Sequence, residues 1–149
     1  MTAKMTAHSG EKALLELLGS RHRGVFITIK RDGMPQLSNV DYTYDPGTRM
    51  LRFSVTDGRA KTVNLRRDPR ASFHVTTALG GSYAVAEGIA ELSPVASDPA
   101  DATVEELVEL FRAIRCEHPD WQEYRNAMVT DRRLVIRLSV QRIYGWMCS

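Results

Sequence analysis

Apolar and polar residues alternate most regularly near the end of the chain, where Leu134, Ile136, Leu138 and Val140 interleave with Val135, Arg137, Ser139 and Gln141. A period of two sends alternate side chains to opposite faces, so this stretch predicts the best-defined strand of the protein. Met50 to Val55 repeats the pattern, with Leu51, Phe53 and Val55 on one side and Arg52 and Ser54 on the other. Gly24 to Ile29 is rich in β-formers and runs into the turn Arg31-Asp32-Gly33. Gln36 to Tyr44 alternates less cleanly and ends at Asp45-Pro46-Gly47-Thr48. Together these segments predict an antiparallel meander joined by tight turns. Ala71 to Thr76 and Tyr83 to Leu92 predict two further strands, linked through Gly80-Gly81.

Helical spacing is confined to a few places. Glu11 to Leu18 predicts a short amphipathic helix between a Ser9 cap and Gly19. Val104, Leu107, Val108, Phe111 and Ile114 recur at helical spacing behind a capping box in which Thr103 caps and Glu106 reaches back. His118-Pro119 separates that helix from a shorter one reaching Val129. Without regular β-α-β alternation, these elements predict a mainly β protein, a six-stranded antiparallel barrel with peripheral helices.

Composition narrows the class without naming a function. A chain of 149 residues has room for one domain, expected over residues 11–149 behind a mobile tail, 1–10, that is polar and has no apolar signal core. No apolar run approaches the roughly 20 residues that span a bilayer, so no membrane partner is expected. Cys116 and Cys148 are too few and too far apart for a disulfide framework, which fits a reducing cytoplasm. His8, His22, His74 and His118 lack metal-ligand spacing, so no metal is expected.

Charge is concentrated in one place. Asp57 to Arg70 holds five basic residues against two acidic ones, in a chain of formal net charge +2. It reads as a short helix capped by Asp57 or Gly58 and closed at Asp68-Pro69. Arg59 and Lys61 fall at its start, where unpaired backbone N–H groups already favour anions. From the residues alone, a phosphate site and a solvated connecting helix with snorkelling arginines fit equally well. Arg66, Arg67 and Arg70 read as surface or interface charges. The segment contains no aromatic residue for stacking bases, which argues against nucleic acid.

Two polar clusters accompany it. Gln36 and Ser38 share one face of their predicted strand and Asn39 takes the other, as an edge strand would also have it. Gly80-Gly81-Ser82-Tyr83-Ala84 offers close backbone approach and a tyrosine able to stack on a planar ring, or simply a hairpin loop. No set of nucleophile, base and orienting acid appears, so hydrolysis is unsupported.

The ordered set Gly24-Val25-Phe26-Ile27-Thr28-Ile29, Gly33-x-Pro35-Gln36-x-Ser38-Asn39-Val40, Arg59-Ala60-Lys61-x-x-Asn64-Leu65-Arg66-Arg67-Asp68-Pro69-Arg70 and Ser82-Tyr83-Ala84-Val85-x-Glu87-Gly88 resembles the pyridoxamine-phosphate-oxidase-like split-barrel proteins. It resembles in particular their branch that uses the deazaflavin coenzyme F420. The resemblance runs from Leu14 to Tyr144 and includes Asp131-Arg132-Arg133.

The resemblance implies a homodimer of FMN-binding split-barrel type with a coenzyme site at each subunit contact. The coenzyme's phosphate-bearing tail would meet Arg59, Ala60 and Lys61, with Asn64 near. Its ring would run along Val25, Phe26, Ile27, Thr28, Ile29, Ser54 and Val55, with Gln36 and Ser38 alongside and backbone N–H groups of the first strand tuning it. Gly81, Ser82, Tyr83 and Ala84 of the second subunit would close the site, Tyr83 as a candidate proton source. Some relatives carry a tryptophan just before the Ser-Tyr pair where this chain has Gly81, which implies a more open pocket.

The implied activity is hydride transfer from the reduced deazaflavin to a small unsaturated, quinone-like or tetrapyrrole acceptor such as biliverdin. The alternatives are an FMN-dependent oxidase or reductase of the same fold, and a coenzyme-binding protein without turnover.

Overall fold

The computed structural model describes residues 7–148. Its elements are α1 (Ala7–Ser20), β1 (Arg23–Ile29), β2 (Pro35–Asp41), β3 (Thr43–Asp45), β4 (Met50–Thr56), α2 (Ala60–Arg67), β5 (Arg70–Thr76), β6 (Tyr83–Leu92), α3 (Ala102–Arg115), α4 (Trp121–Thr130), β7 (Arg133–Ser139) and β8 (Arg142–Trp146). Of the expected N-terminal tail, residues 1–6 lie outside the described residues. Residues 7–10 form the first turn of α1 and Gly10 is buried.

The strands form one curled antiparallel sheet in the order β2-β1-β5-β6-β7-β4-β3, with β8 paired to β6. The class is the expected mainly β split barrel with peripheral helices, but with eight strands instead of six. The expected meander is also broken. β1 and β2 form a hairpin, while β4 pairs with β3 and β7 and not with β2. The cause is Tyr42, which is fully buried and turns the corner between β2 and β3. Its N–H donates to the His22 carbonyl at 3.0 Å and its hydroxyl to the Leu18 carbonyl. The barrel is therefore open between β2 and β4.

β8 escaped the sequence reading because five residues interrupted by Gly145 show little alternation. That glycine is required, since a Cβ there would lie 2.1 Å from the Tyr83 carbonyl oxygen. β6 shares one edge between two partners, β8 over Tyr83–Glu87 and β7 over Ala90–Leu92. Gly88 sits at the hand-over, where a Cβ would meet the Ser139 oxygen at 2.2 Å.

Inside the barrel, Phe26, Phe53, Phe73 and Tyr42 pack edge to face, with centroids 4.6–5.0 Å apart for the closest pairs. Each such pair contributes about 0.5–1.5 kcal/mol beyond its buried area. Leu14, Leu17 and Leu18 of α1 complete this core. β7 is buried on both faces: Leu134, Ile136 and Leu138 point into the barrel, and Val135 points out beneath α3 and α4. There it meets a second core made by Val104, Leu107, Val108, Tyr124 and Met128.

α3 does not use the expected capping box. Asp101 is the cap, accepting from the Val104 N–H at 2.8 Å. The same carboxylate also accepts from the Ser97 and Asp98 N–H groups, so it organises the whole loop before the helix. Thr103 instead donates to the Pro94 carbonyl, and Glu106 accepts from Arg137.

Candidate functional site

The gap between β2 and β4 opens into a cleft of about 740 Å³, within the usual range for small-molecule sites. One side is built by the start of α2. Asp57, expected as a possible cap, is held elsewhere: its carboxylate accepts from Arg66 and from Arg132, the latter at 3.0 Å. Arg59 is left as the N-cap, in extended conformation and with no side chain accepting from the helix. A guanidinium has only donors and cannot serve the N–H groups of Ala60, Lys61 and Thr62, which have no acceptor within the helix. The helix therefore presents bare N–H groups and two cations to the cleft.

Lys61 is half-buried beside them. Burial pushes its ammonium pKa below the ordinary value, and repulsion from Arg59 and Arg133 pushes the same way. Arg133 opens β7 opposite Thr56 and lines the same cleft. Its Nε is buried without a hydrogen-bond partner, and its Nη1 reaches the Ser54 carbonyl only at 3.5 Å. An unmade buried hydrogen bond of this kind costs about 1–3 kcal/mol, more for a charged group. Among the described residues, Arg59, Lys61 and Arg133 form no ion pair.

The facing wall is apolar, formed by Leu110, Phe111 and Ile114 of α3 with Tyr124 and Met128 of α4. Tyr124 donates to the Leu107 carbonyl at 2.9 Å, and burial pushes its phenol up to about 12. With its hydroxyl committed to that carbonyl, Tyr124 serves as part of the wall. At the rim, Asp41 accepts from Arg23 at 2.7 Å and from Arg115 at 3.0 Å, which holds its carboxyl below the usual range despite partial burial. Asn39, Ser54 and Thr56 supply the remaining polar edges. A cationic end against an apolar wall suits an anion carried on a flat apolar body.

Of the residues singled out from sequence, Ser54, Val55, Arg59, Ala60 and Lys61 meet in this cleft. Asn39 joins them and Ser38 does not. Val40, on the face of Ser38, lines the cleft beside Asn39 and Asp41, so the end of β2 enters it, not one of its faces. The remaining candidates lie elsewhere in the chain. Phe26 is sealed in the aromatic core, and Thr28 accepts from Asn64 at 3.1 Å in a buried contact that ties α2 to β1. Gln36 borders a shallow surface depression with Asn64 and Arg67.

The first strand offers fewer backbone donors than expected, because β1 pairs with β2 along its length and with β5 over Val25–Ile27. Val25, Ile27 and Ile29 face outward, the last two beside a second hollow with Ser72, Glu87 and Arg142. Ser82 and Ala84 are buried within the chain, Ser82 accepting from the Cys148 N–H at 2.9 Å. Tyr83 is exposed on the outer sheet face beside Gly81 and stacks on His74, with ring centroids 5.8 Å apart. The sequence reading missed the α3–α4 wall, whose helical spacing signalled only burial, and Arg133, noticed only as part of a motif.

Among the described residues no three His, Cys, Asp or Glu side chains are placed to hold a metal ion, and no helix is long and apolar enough to cross a membrane.

Known proteins bear on this arrangement. An F420H(2)-dependent biliverdin reductase of Mycobacterium tuberculosis (strain CDC 1551 / Oshkosh) is 29% identical over 131 residues, covering 88% of this chain and 84% of that protein. The crystal structure of a conserved hypothetical protein from Mycobacterium tuberculosis superposes with a TM-score of 0.71 at 24% identity, covering 97% of this chain and 89% of that one. A structure described as an F420 reductase superposes with a TM-score of 0.61 at 23% identity, covering 87% of this chain and 94% of that one. The pattern of the pyridoxamine 5'-phosphate oxidase family matches residues 11–147, which takes in both walls of the cleft, and the chain belongs to that family.

Proposed function

We propose that the protein is a coenzyme F420-dependent reductase that passes a hydride to a small unsaturated, quinone-like or tetrapyrrole acceptor. The observation that carries this reading is the bare start of α2, where Arg59 and Lys61 face an apolar wall without an anionic partner among the described residues. The residues present fit the coenzyme's phosphate-bearing tail, and the similarity to an F420H(2)-dependent biliverdin reductase favours the deazaflavin over FMN. The reduced deazaflavin supplies the hydride when bound. Arg59, Lys61 and the α2 N–H groups would hold the anionic end, and Ser54 would border the rest of the coenzyme. Leu110, Phe111 and Ile114 exclude water from it.

The proposal includes a homodimer. The outer face of β2-β1-β5-β6-β8 carries Leu37, Ile89, Tyr83 and Tyr144 exposed, and Ile27 and Ile29 half-exposed. A second copy of the same face would cover this apolar area and bring Tyr83, with its Oη as proton donor, toward the neighbouring site. Two free, exposed cysteines fit a reducing cytoplasm.

Fluorescence titration of the protein with F420 and, separately, with FMN tests the coenzyme. Micromolar or tighter F420 binding with weak FMN binding is expected, and the reverse order would replace the reading with an FMN enzyme. Coenzyme that binds but stays reduced across a panel of quinones, enones and tetrapyrroles would leave a carrier. Sedimentation should give a dimer, and Ile89→Asp should dissociate it.

A further inference from the structure

We propose that Arg133 is a third anion-binding side chain of the cleft, acting with Arg59 and Lys61, and that the three together select a phosphate-bearing ligand over one that carries a lone carboxylate. This rests on the coenzyme reading above and extends it to a residue and a ligand chemistry.

Register fixes the position. Arg133 pairs with Thr56, and the chain runs from Thr56 directly to Arg59, so the first residue of β7 and the cap of α2 border one corner of the cleft. The neighbouring arginine has a different task. Arg132 adopts φ 53°, a left-handed conformation rare for a side-chain-bearing residue, and directs its guanidinium outward to Asp57. The turn thus separates two adjacent arginines, one paired at the surface and one half-buried in the cleft with its Nε unmatched.

Among the described residues, no carboxylate answers this cation. The Ser54 carbonyl at 3.5 Å lies at the outer limit of a hydrogen bond, and Lys61 is near enough to feel the charge of Arg133. Buried donors in native structures are matched by protein groups, ordered water or a bound ion. A carboxylate offers two oxygens in one plane. Donors arriving from two side chains of α2, its backbone and β7 suit the tetrahedral oxygens of a phosphate.

The test compares Arg133→Met with Arg132→Met and wild type. Melting temperature is measured without ligand, F420 affinity is read by fluorescence, and thermal shift is followed with inorganic pyrophosphate and with acetate. Arg133→Met should melt at or above the wild-type temperature, because an unmatched buried charge is gone, and should bind F420 at least tenfold more weakly. Pyrophosphate should stabilise wild type but not Arg133→Met, and acetate should stabilise neither. Arg132→Met should keep F420 affinity within twofold.

Unchanged F420 affinity in Arg133→Met overturns the proposal. So does a fall in melting temperature with an affinity loss no greater than that of Arg132→Met. If wild type ignores F420 yet shows an Arg133-dependent pyrophosphate shift, this inference stands and the coenzyme reading falls. Silence toward both ligands ends both. Should Arg133→Met not fold, Arg133→Lys keeps the charge and loses Nε, and wild-type affinity in that variant also overturns the proposal.

Discussion

The two ends of the basic segment carry similar residues and treat them in opposite ways. At its far end, Arg66 pairs with Asp57, Arg70 with Asp68 at 2.7 Å, and Arg67 donates to the Ile29 carbonyl. The positions also suit the helix, since Arg66 and Arg67 lie in its last turn, where the dipole favours cations. At the near end, Arg59 and Lys61 stand where the dipole disfavours them, and no carboxylate among the described residues answers them. The charge count of a segment therefore says little about binding. What separates the two ends is whether the fold has already supplied each cation with a partner, a carboxylate for Arg66 and Arg70 or a carbonyl for Arg67.

The contrast can be broken by substitution at either end. Lys61→Ala should weaken coenzyme binding by about 1–3 kcal/mol, the scale of a charge-assisted hydrogen bond, with little loss of melting temperature. Unchanged affinity by fluorescence titration in the folded variant would erase the distinction.

The same lysine should impose a pH limit of similar size. Its folded pKa lies below the ordinary value, so between that value and 10.5 the unfolded chain binds more protons. Ligand-free stability should consequently rise with pH through that window. Coenzyme affinity should fall over the same window as the ammonium deprotonates, and Lys61→Arg should abolish the fall. A titration series from pH 7 to 10.5 checks both directions.

Asp57→Asn releases Arg66 and Arg132 together and should cost about 1 kcal/mol of stability in denaturant unfolding. Coenzyme affinity should change far less than in Lys61→Ala. The smallest effect is expected of Arg66→Gln, at most about 0.5 kcal/mol of stability and less than a twofold change in affinity. A loss as large as that of Lys61→Ala would mean that the far end binds as well.

Sequence reading located α2 and the strands around it because their patterns are local. β4, β5, β6 and β7 alternate strongly enough to mark their own limits, whereas β3 and β8 exist through their partners and leave little periodic trace. The start of the helix was legible as a charge anomaly, but its cap was not. Asp57 is an ordinary capping residue until two arginines, one of them 75 positions away, hold its carboxylate. Asn39 and the α3–α4 wall reach the cleft only through the curling of the sheet and the docking of two helices on it, long-range events that no window of sequence contains. Arg133 was visible as a residue, while its unmatched Nε is a property of packing.

β7 separates two cores, one on each face. The α2 side of the cleft is fixed by the barrel core through Leu65, and its apolar side hangs on the outer one, under α3 and α4. Substitutions in packings that share no partners add nearly independently. Substitutions in α3 or α4 could thus reshape the apolar wall of the cleft while the barrel side that carries α2 changed little. One strand, buried on both faces only at its middle, joins two cores that can be repacked separately.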